Sequence, residues 1–262
     1  MTTGGYAAGA HRFSELDPDA VAAKAAEEAV SHLHGESVPS GTYRVALDRD
    51  AMGDLLSTFC GVFSAENVQQ KLSLLGGKEG TVIASPAVTL VDDPLLPGGL
   101  ATCPFDAEGT AAYTKDVIRE GILTTLLHDR KTARKQGVRS TGNASRGGYS
   151  GPVHVGPSNL FLKPGSLSPE QLLKDLGDGL LITEVTGLHA GANPISGDFS
   201  LLSKGFLLKD GVRVKPVEQI TIAGNFYTLL KSIRAVANDL RFDTSSIACP
   251  TVDAGEMTVS GT

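Results

Sequence analysis

The sequence predicts an α+β fold in which antiparallel sheet dominates after residue 80, and three observations carry that prediction. Apolar residues recur at helical spacing in the N-terminal part, short runs bounded by Gly, Pro and Asp fill the rest, and an Asp210-Gly211 step joins two of the longest runs. Asp-Gly between such runs is a strong hairpin signal, because a tight turn between antiparallel strands needs residues that tolerate positive φ.

Asp17 before Pro18 reads as an N-cap and first helical residue, and Val21, Ala25, Ala29 and Leu33 then recur every four residues until Gly35. This predicts an amphipathic helix with a thin, alanine-rich stripe. "ESVPSGT" makes a loop before "YRVALD", a short alternating strand that runs directly into "RDAMGDLLSTFCGVF". Met52, Leu55, Leu56, Phe59 and Phe63 stand at helical spacing there, so Asp48 is expected to cap a second helix packed on the core. Strands are expected over "TVIASPAVTLVDD", "GILTTLLHD", "NLFLKPG", "GLLITEVTG", "FSLLSKGFLL" and "VRVKPVEQITIAG". Two helices interrupt them. "SPEQLLKDLGDG" has Ser168, Pro169 and Gln171 in capping-box spacing and Gly177 as a stop, and "NFYTLLKSIRAVANDL" starts from Asn225. No internal repeat or long low-complexity linker is visible.

At 262 residues the chain is long enough to bury a sizeable core. A net charge of −6, 5% aromatic residues and no Trp argue against a nucleic-acid footprint. No stretch approaches ~18 consecutive apolar residues, and the N terminus lacks the basic-then-apolar order of a secretory leader, so no membrane is expected and the location is read as cytoplasmic. Cys60, Cys103 and Cys249 are widely separated, which suits reduced thiols, and no CxxC pair exists to hold a structural zinc.

"GGKEG" lacks the spacing of a phosphate loop, and no serine stands in a GxSxG elbow. No two histidines have metal-ligand spacing; His32 and His34, near the end of the first helix, are expected to meet its dipole, and His128 to be a surface or satisfied core residue. Asp92 with Asp93, and Asp106 with Glu108, read either as turn caps or as acid/base or metal-binding pairs. Taken singly, these residues name no reaction.

Taken in order they do more. The succession "VDDP", "PFDAEGT", "IREGIL", "ARKQGVRSTGNASR", "GANPISGDFS", "GVRVKPVEQITIAGN" and "AVANDL" resembles the TldD/PmbA family of zinc-dependent peptidases, in its PmbA or TldE branch. The resemblance runs from about Leu16 to the C terminus. It implies a helical remnant or linker of a further N-terminal domain over residues 1–40 and the family's β-rich C-terminal domain over 41–262. The missing domain is expected to be absent either by truncation or in a natural short form.

The TldD type carries an HExxxH helix whose histidines, with a later cysteine, bind zinc while the glutamate acts as general base. At the matching stretch this chain reads Arg49-Asp50-Ala51-Met52-Gly53-Asp54, with Arg49 and Asp54 at the histidine positions and Asp50 at the glutamate position. Arginine has no lone pair for zinc. Cys249 falls near the family's ligand cysteine and is either a relic ligand or an ordinary buried thiol.

The resemblance therefore implies a zinc-less subunit, without catalytic residues or cofactor of its own, paired with a zinc-bearing TldD-type partner. Unfolded or flexible peptides would be held as an added strand. Thr141, Gly142, Asn143 and Arg146 in the "STGN" loop, with Gly197 and Asp198 in the "SGDFS" turn, are the expected peptide-binding residues. Two alternatives stay open: a peptidase active alone through a non-standard metal site, and a self-associating binding module, for instance a homodimer.

Overall fold

The computed structural model describes residues 3–262. The N-terminal part contains α1 (Pro18–Ser31), β1 (Gly41–Leu47), α2 (Arg49–Phe59) and α3 (Ala65–Gln69). A middle region follows with β2 (Leu90–Asp92), β3 (Lys115–Arg119), β4 (Ile122–Leu123), α4 (Arg130–Gln136), β5 (Ala144–Ser145), β6 (His154–Val155) and β7 (Leu160–Leu162). Then come α5 (Pro169–Leu176), β8 (Gly179–Thr186), α6 (Leu188–Gly191), β9 (Asp198–Lys209), β10 (Val212–Asn225) and α7 (Phe226–Ser232). The chain finishes with β11 (Ala235–Val236), β12 (Ile247–Ala248) and β13 (Val252–Ser260).

The larger sheet has the order β1-β8-β9-β10-β13-β11, and β1 also pairs with β13. Pairing from β1 through β8, β9 and β10 to β13 and back closes those strands into a small barrel. β1 and β13 run antiparallel from Gly41↔Val259 to Leu47↔Val252, while β1 and β8 run parallel with Val45↔Leu180 and Leu47↔Ile182. A second sheet, β12-β7-β2-β3-β4, carries the middle region.

Period-two alternation assigns the two faces of the barrel strands to two cores. Val45, Leu47, Leu180 and Ile182 pack in the main core with Met52, Leu55, Leu56 and Phe59 of α2 and Phe226, Leu229 and Leu230 of α7. Ala46, Leu181, Phe206 and Leu208 face the other way and are covered by Leu172, Leu173 and Leu176 of α5. Burial on both faces explains why "GLLIT" reads as a continuous apolar run instead of an alternation. The β9–β10 hairpin closes as expected: Asp210 and Gly211 have φ of 50° and 78°, the two positive values of a type I′ turn, and Val212 pairs with Lys209.

The expected caps are present. Asp17, Asp48 and Asn225 accept backbone N–H groups at the starts of α1, α2 and α7, and Ser168 with Gln171 forms a capping box.

Three expectations are corrected and one helix is added. The helix expected through "NFYTLLKSIRAVANDL" ends at Ser232, because Arg234 donates to Asp253 O at 2.9 Å and Ala235 and Val236 pair with β13, so sheet pairing overrides helix propensity. The strand expected over "TVIASPAVTLVDD" is confined to Leu90–Asp92, and that over "GILTTLLHD" to Ile122–Leu123. Helix α4 was not expected, although Asp129 and Thr132 form a capping box and Gly137, at φ 74°, ends it. His32 stands at the C-cap of α1, the helix end at which it was expected, and is in addition fully buried against Phe206, 4.8 Å between ring centroids.

Phe59 ties α2 to α7 and β9: its ring stacks on Phe226 at 4.8 Å and lies 6.2 Å from Phe199. Phe59→Ala is expected to cost about 3–5 kcal/mol in urea unfolding, the range for removing a fully buried aromatic ring. A loss below about 1 kcal/mol would mean that the site collapses around the deletion.

Candidate functional site

The end of β1 delivers the chain to the first turn of α2. Asp48 donates its N–H to Ile182 O of β8 at 2.9 Å and accepts from Asp50 N and Ala51 N at 3.0 and 2.9 Å. Burial pushes its carboxyl well above the usual range. Arg49 turns toward its neighbour, Nε to Asp50 Oδ1 at 3.6 Å, and the Asp50 side chain is 64% exposed. Asp54 follows one turn later, also exposed. Burial raises both carboxyls; the Arg49 charge opposes the shift at Asp50, whereas Asp50 and Glu184 reinforce it at Asp54.

Asp48, Arg49, Asp50 and Asp54 line one wall of a cavity of about 490 Å³. Glu184 of β8, Arg213 of β10 and Asp243 form another part, and Tyr6, Lys24 and Glu28 of the N-terminal segment and α1 close it. Only the α2 residues were singled out by sequence. The others come from separate parts of the chain and share no motif spacing, although Arg241 and Asp243 directly follow the "AVANDL" signature.

Cys249 lies under α2: a Cβ at Gly53 would stand 4.0 Å from its backbone nitrogen. The residue is 1% exposed, and burial pushes its thiol up to about 12. It therefore behaves as a small core residue.

The "STGN" loop has a different character from the one expected. Thr141 and Asn143 are buried, so their side chains are taken up internally. Asn143 donates to Asp92 Oδ2 at 2.8 Å and accepts from Thr141 Oγ1 at 2.7 Å, while Lys115 Nζ stands 2.9 Å from the same Asp92 oxygen and Ser158 N donates to Oδ1 at 2.7 Å. Gly142 and the exposed Arg146 line a cavity of about 220 Å³ with Cys103, Phe105 and Asp106. Asp106 and Glu108 cap local structure: Asp106 accepts from Glu108, Thr110 and Ala144 N–H groups, and Glu108 accepts from Arg130 N at the start of α4. His128 corrects the expectation of a satisfied core histidine. It is buried, its Nδ1 is 3.3 Å from Thr132 Oγ1, and its Nε2 has no hydrogen-bond partner. Burial lowers its pKa, which keeps the ring neutral.

The "GANPISGDFS" turn ties β9, β10 and α7 together. Asn193 Oδ1 accepts from Ile195 N and Ser196 N, and Asn225 Nδ2 donates to Ser196 O and Asp198 Oδ1, each at 2.8 Å. Gly197 has φ 84°, and a Cβ there would stand 2.6 Å from the Tyr227 ring, so glycine is required on both counts. Hydrogen bonds from Asn225 and Ser196 hold the Asp198 carboxyl below its usual range. Expected as one peptide-binding wall, the loop and the turn have separate partners: the loop belongs to the Asp92–Lys115 network, and the turn to α7.

A small antiparallel-rich barrel with a helix laid across it and an acidic cleft at that helix's start defines an α+β domain. A sequence model described as the PmbA/TldA metallopeptidase C-terminal domain matches residues 40–261. The metalloprotease PmbA of Escherichia coli O157:H7 is 34% identical over 244 residues, 93% of this chain and 51% of that protein. A putative modulator of DNA gyrase from Thermotoga maritima superposes with a TM-score of 0.90 at 43% identity, covering 96% of this chain and 57% of that one. TldE from Thermococcus kodakarensis gives a TM-score of 0.85 at 26% identity, over 94% and 56% of the two chains. This chain belongs to the TldD/PmbA family and is a PmbA/TldE-type metallopeptidase-like protein. It spans about half the length of the curated relatives it matches.

The family implies zinc. A zinc site needs imidazole, thiolate or carboxylate groups converging on one point. Arg49 offers no lone pair, the Cys249 thiol is held protonated in the core, and no group of three or more His, Cys, Asp or Glu among the described residues is placed to hold a metal. The residues present do not fit the ion. Among the described residues no helix is long and apolar enough to cross a membrane.

Two outcomes follow from these electrostatics. Lys115→Met strands the Asp92 charge, which is fully buried beside a lysine only 4% exposed, and is expected to cost about 3–5 kcal/mol of stability by chemical denaturation. A stability within about 1 kcal/mol of the parent would show that Asp92 has neutralised itself or found water. At Asp54 the raised native pKa means that the folded state holds its proton more tightly than the unfolded chain. Its contribution is fully present at low pH and is lost as pH rises from 3.8 through the native value. Asp54→Asn should be more stable than the parent at pH 7, with the gap closing as pH falls toward 3.8. A gap independent of pH would contradict the assignment.

Proposed function

We propose that this chain is the zinc-less subunit of a TldD/TldE-type cytoplasmic metallopeptidase that acts on unfolded or flexible peptides. A TldD-type partner supplies the zinc, and this chain contributes wall to the shared peptide cavity. The observation that carries the reading is the start of α2, where Arg49, Asp50 and Asp54 match the HExxxH positions in sequence and Arg49 is turned onto Asp50 at 3.6 Å. The buried Cys249 beneath the same helix adds support, since it falls near the family's ligand cysteine in the chain and is a protonated core thiol. Of the expected wall residues, Arg146 and Asp198 are exposed and are the ones that would meet a peptide.

Elemental analysis of the purified chain, with and without chelator, tests the reading alongside cleavage of an unstructured peptide. The expected outcome is no stoichiometric zinc and no cleavage by this chain alone, with chelator-sensitive cleavage once a TldD-type subunit is added. One zinc per chain with chelator-sensitive cleavage by this protein by itself would overturn it.

A further inference from the structure

The cleft over α2 is closed on one side by an extended segment of the chain itself. Residues 3–10 have no regular secondary structure and pass between α1 and the segment that follows β11. They are held at two points. Gly4 packs so tightly on α1 that a Cβ there would stand 2.3 Å from both Ala25 O and Ala29 N, and Gly9 donates its N–H to Asp243 O at 2.6 Å. Between these points Tyr6 is received by three charged side chains. Lys24 Nζ lies 4.6 Å from the ring centroid and Arg241 Cζ 5.4 Å, the geometry of cation–π contacts. The phenol oxygen accepts from Lys24 Nζ at 3.3 Å and from Arg241 Nη2, and the hydroxyl faces Asp243 Oδ1 at 3.5 Å. Asp243 in turn binds Arg241 Nε, which orients the guanidinium.

Such an arrangement reads a phenol and not merely an apolar ring. Two cations address the π-face and the oxygen, and a carboxylate stands beside the hydroxyl. The flanking residues, Gly4, Gly5, Ala7, Ala8 and Gly9, are all small, and at Gly4 and Gly9 the close passage along α1 and Asp243 leaves no room for a Cβ.

We propose that Lys24, Arg241 and Asp243 form a tyrosine-reading seat beside the first turn of α2, filled in cis by Tyr6 and able to take a tyrosine flanked by small residues from another peptide in trans. The proposal goes beyond the paired-subunit reading and does not depend on it, because every group belongs to this chain. A tethered ligand competes at a high effective concentration, so the seat is closed to outside peptides until the segment leaves.

The test uses the full chain without any partner subunit. A fluorescent peptide, Gly-Gly-Tyr-Ala-Ala-Gly, is titrated by anisotropy against the parent and against Tyr6→Ser, whose thermal melt verifies that it is folded. Emptying the seat should tighten binding of the peptide by about tenfold or more, since the parent's apparent affinity is reduced by its closed fraction. The same peptide with serine in place of tyrosine should lose binding to Tyr6→Ser, as should the tyrosine peptide against Tyr6→Ser/Arg241→Gln. Hydrogen exchange on the unmodified parent needs no variant: excess tyrosine peptide should speed exchange at the Gly9 amide, and the serine peptide should not. Equal affinity of parent and Tyr6→Ser, no binding by either, or binding indifferent to the tyrosine would overturn the proposal. None of these results bears on whether a zinc-bearing partner is needed for cleavage.

Discussion

The double pairing of β13 is the constraint on which the rest of the structure depends. This last strand forms hydrogen-bonded ladders with β1 along one edge and with β10 and β11 along the other. Without it the larger sheet would be an open strip with exposed edges, and closure abolishes those edges. Closure also fixes the exit direction of β1. Asp48 N is bonded to β8, its carboxylate caps α2, and that helix is thereby laid with Met52, Leu55, Leu56 and Phe59 in the main core and Arg49, Asp50 and Asp54 at the rim.

Two charged assemblies on this frame obey opposite rules. The Asp92–Lys115 pair is almost entirely removed from solvent, and Asn143 and Ser158 satisfy the remaining carboxylate lone pairs, so it holds the "STGN" loop rigid at the edge of the second sheet. The cleft over α2 keeps its charges partly wet. Acids outnumber bases there, and burial makes Asp50 and Asp54 hold their protons more firmly than free aspartate does, with neighbouring acids adding to the shift at Asp54. The first assembly is architecture; the second is a charged cleft open to solvent.

The start of α2 separates two sets of residues. The strand-to-helix junction at the end of β1 turns Arg49, Asp50 and Asp54 toward the cleft, with the arginine folded onto its neighbouring aspartate. The inward positions of the same helix, Met52, Leu55, Leu56 and Phe59, are apolar and buried. The fold is carried by the inward set, so the outward set can vary without disturbing the barrel core.

Local chemistry was legible in the sequence wherever a short stretch determines its own conformation. The caps at Asp17, Asp48, Ser168 and Asn225 and the Asp210-Gly211 turn rest on groups a few residues apart, and each could be read without knowing its neighbours. The α+β character and the family signature were legible for the same reason. What escaped depended on groups distant along the chain. The β11 pairing cut short a helix whose propensity ran on, His32 went under Phe206, and Thr141 and Asn143 turned inward because Asp92 and Lys115 needed partners. The cleft itself joins Tyr6, Lys24, Asp50 and Asp243. The sequence by itself determined the caps, the turns, the apolar faces and the charged residues at 49, 50 and 54. Barrel closure alone decided which charges share a cleft, because electrostatic and packing energies depend on distance in space and are blind to separation along the chain.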